Sequence, residues 1–133
     1  MWRVVMEEFN VDLFKVAISA VIRVPPQGAF RRARTALLRR LGLRIAVTSR
    51  LAGALYITGS GSVCDLVSIG PGCHITGPLH IDLAAPVRIG ANVYLGHEAM
   101  LLTVDHEVGA TTQRCGRLAS GPIEIGDGAA RAS

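Results

Sequence analysis

From Ile45 onward an aliphatic residue recurs at every sixth position: Ile45, Leu51, Ile57, Val63, Ile69, Ile75, Ile81 and Val87. Chance produces such a run with a probability on the order of 10⁻³ once phases and start points are allowed for. The spacing fits neither a helical turn of roughly 3.6 residues nor the alternation of a hairpin strand. After Val87 the phase slips by two residues, resumes at Ile89, Leu95 and Leu101, and returns at Ile125. The fifth position of many hexads is small (Ser49, Gly61, Cys73, Ala85, Ala99, Ala129), and glycine often follows the aliphatic residue (Gly70, Gly90, Gly96, Gly126). A short strand plus a tight turn accounts for six residues, and three such sides close one circuit of a parallel β-helix. The aliphatic side chain fills the interior, the small residue fits beside it, and glycine permits the corner.

Composition agrees with that architecture. The chain of 133 residues suits one domain. With half its residues hydrophobic and 18% charged, it is excluded from the generally disordered class. Aromatics make up only 5%, so the core has to be built from Val, Ile, Leu and Ala, which argues against an aromatic-rich barrel. Ahead of the repeats the period is helical. Phe9, Leu13, Val16, Ala17, Ala20 and Val21 recur at helical spacing until Pro25 and Pro26 stop the segment. A second helix is predicted from about Ala29 to Leu41, with Phe30, Ala33, Leu37, Leu38 and Leu41 on its apolar stripe and Gly42 as its stop. The expected organisation is a helical, arginine-rich segment over 1–44 and a mainly β domain over 45–133.

Charge is concentrated in the first of these. Between Leu13 and Cys64 lie nine basic residues and no acid, within a net charge of +4 for the whole chain. Such a patch meets nucleic acid, a phosphorylated ligand or an acidic membrane surface, or is simply a solvated helix face. No stacking aromatics accompany the arginines, which weakens the nucleic-acid reading. The three cysteines show no CxxC spacing and imply a reducing, cytoplasmic setting. The longest apolar stretch, residues 16–24, is too short to span a bilayer, and Glu7, Glu8 and Asp12 spoil a secretory leader. The expected location is the cytoplasm, with peripheral contact to the inner face of an anionic membrane left open.

The fragments IGPGCH, IGANVY, LGHEAM and IGDGAA resemble the hexapeptide-repeat transferases. The stretch Pro86-Val-Arg-Ile-Gly-Ala-Asn-Val-Tyr-Leu-Gly, the run to His106, a polar excursion over 107–120 and the return at Pro122-Ile-Glu-Ile-Gly are similar to the maltose, galactoside and capsule-sugar O-acetyltransferase branch. The resemblance implies a left-handed β-helix and a homotrimer. It also implies acetyl-CoA as co-substrate, and a sugar or polysaccharide precursor as acceptor, without a metal. It assigns His106 as the general base, held where the repeats break into a loop. Such a histidine removes the hydroxyl proton and returns it to the departing thiolate. The family's acceptor-contacting Asn and Asp align with Thr76 and Ala84, and Asp82 is a near neighbour of the second, so Thr76 and Asp82 are the candidate acceptor contacts.

His74 and His80 stand one hexad apart, on successive faces, and no pair has the spacing of a zinc-binding carbonic anhydrase. Cys73 reads as packing. Where the family adds further repeats, the sequence after Gly126 ends in Asp-Gly-Ala-Ala-Arg-Ala-Ser. That ending implies a truncated member whose coenzyme site is incomplete. The competing expectation is accordingly an inactive remnant, or a structural hexapeptide protein that only oligomerises.

Overall fold

The computed structural model describes residues 13–23 and 30–131. Phe9, Val21's side chain and the Pro25 and Pro26 stop lie outside what is described. The protein is mainly β, with several parallel sheets and some helices. Helices α1 (Leu13–Arg23) and α2 (Arg31–Arg40) precede the strands. Strands β1 (Arg44–Ile45), β2 (Arg50–Leu51) and β3 (Leu55–Thr58) each found a different sheet. After the single-turn helix α3 (Val63–Leu66), β4 (Val67–Ile69), β5 (His74–Ile75) and β6 (Leu79–Asp82) join those sheets in the same rotation. The rotation repeats with β7 (Val87–Ile89), β8 (Tyr94–Leu95) and β9 (Ala99–Leu102). Strands β10 (Val104–Val108) and β11 (Cys115–Ser120) interrupt it as an antiparallel hairpin before β12 (Ile123–Ile125) and β13 (Ala130–Arg131) rejoin the first two sheets.

The register explains the sequence period. Arg44 lies opposite Ser68, a circuit of 24 residues that keeps the hexad phase. Ser68 lies opposite Arg88, a circuit of 20 residues, two longer than three hexads. Those two extra residues are the phase slip seen between Val87 and Ile89. Main-chain bonds run between successive strands of each sheet, for example Gly70 N–H to Ile89 C=O at 2.8 Å and Gly90 N–H to Ile125 C=O at 2.8 Å. At one corner Gly72, Asn92 and Gly128 succeed one another with φ of 71°, 54° and 71°. Glycine takes that positive φ without strain, and asparagine is the side chain that tolerates it, which accounts for the residues found there.

The interior is the one the period implies. Ile45, Leu51, Ile57, Val63, Ile69, Ile75, Ile81 and Val87 are all buried in one apolar cluster, none more than 7% exposed. Cys73 sits among them as packing, at 2%. One expected strand residue is different. Val63 is buried, but in α3 rather than in a strand. The longer 24-residue circuit has room for a helical turn, and aliphatic spacing by itself does not distinguish the two.

The helices close one end of this interior. α1 packs against β3, and α2 against β1 and β2. Their inner faces keep only part of the apolar stripes drawn from the sequence: Leu38 of α2 and Leu41 just after it meet the core, and the other stripe residues described on the two helices do not. Among the described side chains of α1 the buried ones are Lys15 and Ile18, while Leu13, Val16, Ala17 and Ala20 face outward. On α2 they are Arg34, Thr35 and Leu38, while Phe30, Ala33 and Leu37 are exposed. The reason is the polar edge beneath. Arg34 Nη1 donates to the Ala52 carbonyl at 3.2 Å. The Lys15 ammonium donates to the Gly59 carbonyl. Buried carbonyls without donors are costly, and long cationic side chains reach them while their stems cover apolar surface. No helix among the described residues is long and apolar enough to cross a membrane.

Candidate functional site

The polar excursion after His106 is an ordered β-hairpin rather than a loop. His106 lies within β10, opposite Leu118, and a bulge follows between His106 and Val108. The hairpin is anchored at its root by Thr103, which is 3% exposed. Its hydroxyl donates to the Asp82 carbonyl at 2.8 Å and accepts from the Ala84 and Ala85 N–H groups at 2.8 and 3.2 Å. Beyond that root both strands are largely exposed, with Val108 at 82% and Leu118 at 56%.

The His106 ring is oriented by a backbone carbonyl across the hairpin. Its Nδ1 is 3.1 Å from the Gly116 carbonyl oxygen. A carbonyl only accepts, so Nδ1 carries the proton and Nε2 presents a lone pair. Gly116 is required for this approach, because a Cβ there would stand 2.5 Å from the Glu107 carbonyl oxygen. The backbone N–H of His106 is in turn bonded to Asp105 Oδ1 at 2.7 Å. Arg117 and Glu107 form an exposed ion pair beside it, at 3.4 Å.

The other candidates lie elsewhere. Thr76 follows β5, where its hydroxyl donates to the Leu95 carbonyl at 3.2 Å. Asp82 ends β6, where Oδ1 accepts from Thr58 Oγ1 at 3.4 Å and the backbone carbonyl meets Thr103. The two therefore flank opposite ends of β6, and only Asp82 adjoins the root of the hairpin that carries His106.

A second histidine, itself exposed, borders a hollow at the open end of the core. His97 lines a hollow of about 680 Å³ beyond β9, β12 and β13, with Leu101, Ile123, Ile125 and Arg131 among its walls. Its Nδ1 is 2.7 Å from the Gly77 carbonyl, which leaves Nε2 as the acceptor nitrogen here too. The adjacent Glu98, at φ 57°, places its carboxylate 3.6 Å from His80 Nε2. Only the Leu-Gly-His-Glu corner marks this histidine in sequence, and nothing in it indicates a hollow. His74 and His80 are in different sheets and stack on Tyr94 and Tyr56, with ring centroids 5.9 and 4.9 Å apart. Among the described residues no three His, Cys, Asp or Glu side chains are grouped to hold a metal ion.

These features define a mainly β protein with parallel sheets, a projecting hairpin histidine and a second histidine at the open end of the core. No family model, curated protein or solved structure matches the chain.

Proposed function

We propose that the chain is a left-handed β-helix of the hexapeptide-repeat acyltransferase type, and that it transfers acetyl from acetyl-CoA to a hydroxyl of a sugar or polysaccharide precursor. The rotation of strands among three parallel sheets and the buried six-residue period support the architecture. The observation that carries the chemistry is the bond from His106 Nδ1 to the Gly116 carbonyl, which leaves Nε2 basic. Nε2 takes the hydroxyl proton as the acceptor oxygen attacks the thioester carbonyl. The Gly116 carbonyl stabilises the imidazolium that results. When the tetrahedral adduct collapses and the carbon–sulfur bond breaks, Nε2–H returns the proton to the thiolate. Transfer is direct, and no metal takes part. Thr76 and Asp82 are the proposed acceptor contacts, with Asp82 nearer the hairpin root.

The hairpin also supports assembly into a homotrimer. A two-stranded ribbon is marginal by itself in water. This one exposes Val108 and Leu118, and β9, which precedes it, exposes Met100 and Leu102 at 63% and 55%. Covering these side chains with a second copy would enclose His106 between protomers. Three free cysteines fit a reducing cytoplasm.

One observation favours a second reading, a structural protein that oligomerises without catalysis: His106 does not line the hollow at the open end of the core, whereas His97 does. Release of coenzyme A, and mass spectrometry of a sugar panel incubated with acetyl-CoA, separate the two. On the enzymatic reading His106→Ala lowers turnover by about 10²- to 10⁴-fold while calorimetric acetyl-CoA binding persists, and His97→Ala retains turnover. Absence of acetyl-CoA binding removes the enzymatic reading. Loss of turnover in His97→Ala alone transfers the base to that residue.

A further inference from the structure

We infer that the helical cap is a docking face for an anionic lipid bilayer. Both helices turn their polar-anchored inner faces toward β1, β2 and β3, so their other faces point away from the core. On α1 that outward face is apolar, with Leu13 79% and Val16 50% exposed beside Ala17 and Ala20. Around α2 it is cationic. Arg31, Arg32, Arg39, Arg40, Arg44 and Arg50 are all exposed, and none is ion-paired to a described residue. Arg32, Arg39 and Arg50 line one cleft of about 460 Å³, together with Thr48 and the 72%-exposed Val47. Phe30 borders the neighbouring hollow with Arg31, Arg32 and Arg50. It is 69% exposed and held at φ 55°, a costly conformation for a bulky residue and one that turns its ring away from the core.

Two kinds of surface thus occur on one end of the molecule, and their combination selects the occupant. Lipid phosphates complement guanidinium groups bidentately, while the boundary of the acyl region accepts Leu13, Val16, Phe30 and Val47. A second copy of the chain would bring six arginines against six more with no acid between Leu13 and Cys64 to separate them. A nucleic acid would satisfy the arginines and leave the α1 stripe in water. The bilayer alone satisfies both. Docked this way, the hairpin and the open end of the core, which lie at the opposite end of the sheets from β1, β2 and β3, face away from the membrane.

Sedimentation of the full chain with vesicles tests the inference, using phosphatidylcholine alone or mixed with phosphatidylglycerol, at low and high salt. The protein is expected to pellet with the mixed vesicles, and to be released by salt. Each arginine near the surface contributes about fivefold, so Arg39→Ala with Arg40→Ala weakens binding roughly 30-fold. Val16→Asp on the exposed stripe weakens it by on the order of tenfold. Arg114→Ala, on the distant hairpin, leaves binding unchanged. Equal pelleting with neutral vesicles overturns the electrostatic half of the inference, and an Arg114→Ala effect as large as that of Arg39→Ala reduces it to general charge. A single-stranded RNA bound more tightly than the vesicles, with Val16→Asp indifferent, would make the face a nucleic-acid surface. A Val16→Asp variant that dissociates an oligomer while vesicle binding stays constant would make the stripe a contact between copies.

Discussion

Thr103→Val tests whether the hairpin root holds the candidate site. The exchange preserves shape and removes one hydroxyl that makes three hydrogen bonds at 2.8 to 3.2 Å. The Asp82 carbonyl keeps a partner, because the Thr103 backbone N–H also donates to it at 3.1 Å. The cost therefore falls on the N–H groups of Ala84 and Ala85, the latter 9% exposed, which lose their acceptor. Leaving a buried donor unmade costs about 1–3 kcal/mol, so the pair sums to roughly 3 kcal/mol after the gain from an added methyl. For a chain of 133 residues that corresponds to a fall in Tm of roughly 10 °C. Thermal denaturation followed by circular dichroism measures it, with Thr103→Ser as the partner variant. Serine keeps the hydroxyl and loses only a methyl, so its Tm should fall by roughly 4 °C. Amide exchange should quicken across β10 and β11 in the valine variant and stay slow in the serine one. A valine variant within about 2 °C of the parent, or a serine variant equally destabilised, would refute the assignment of the root to the hydroxyl.

Two further outcomes follow from burial. Ile75, 1% exposed at the centre of the stacked strands, should cost about 3–4 kcal/mol on replacement by alanine, whereas Val47→Ala, at 72% exposure, should change stability by under about 0.5 kcal/mol; denaturant titration compares them. Cys115 is exposed and Cys73 buried, so a thiol reagent should modify Cys115 in the native protein and reach Cys73 only on unfolding, as peptide mapping of the labelled chain would show.

The sequence by itself determined the core. An inward side chain at every sixth position is an obligation of stacked short strands, and it leaves a period that needs no contact information to read. The same arithmetic carried the phase slip, since two extra residues in the 20-residue circuit displace every later position. Other features were decided only by the tertiary structure, each for a physical reason. Helical periodicity located α1 and α2 but not the faces they bury. Ile18 and Leu38 anchor those faces in the core, but the carbonyls of Ala52 and Gly59 add Arg34 and Lys15 to them, which no apolar stripe indicates. Aliphatic spacing placed Val63 inside without revealing that a helical turn carries it there. His106 could be singled out along the chain, yet the carbonyl that orients it belongs to Gly116, ten residues on and across a hairpin. His97 gained its place in the hollow from strands that come together only after the circuit is closed. Periodic burial is written locally, residue by residue. The partners of a polar atom are written in the fold, because a single donor or acceptor leaves no period behind.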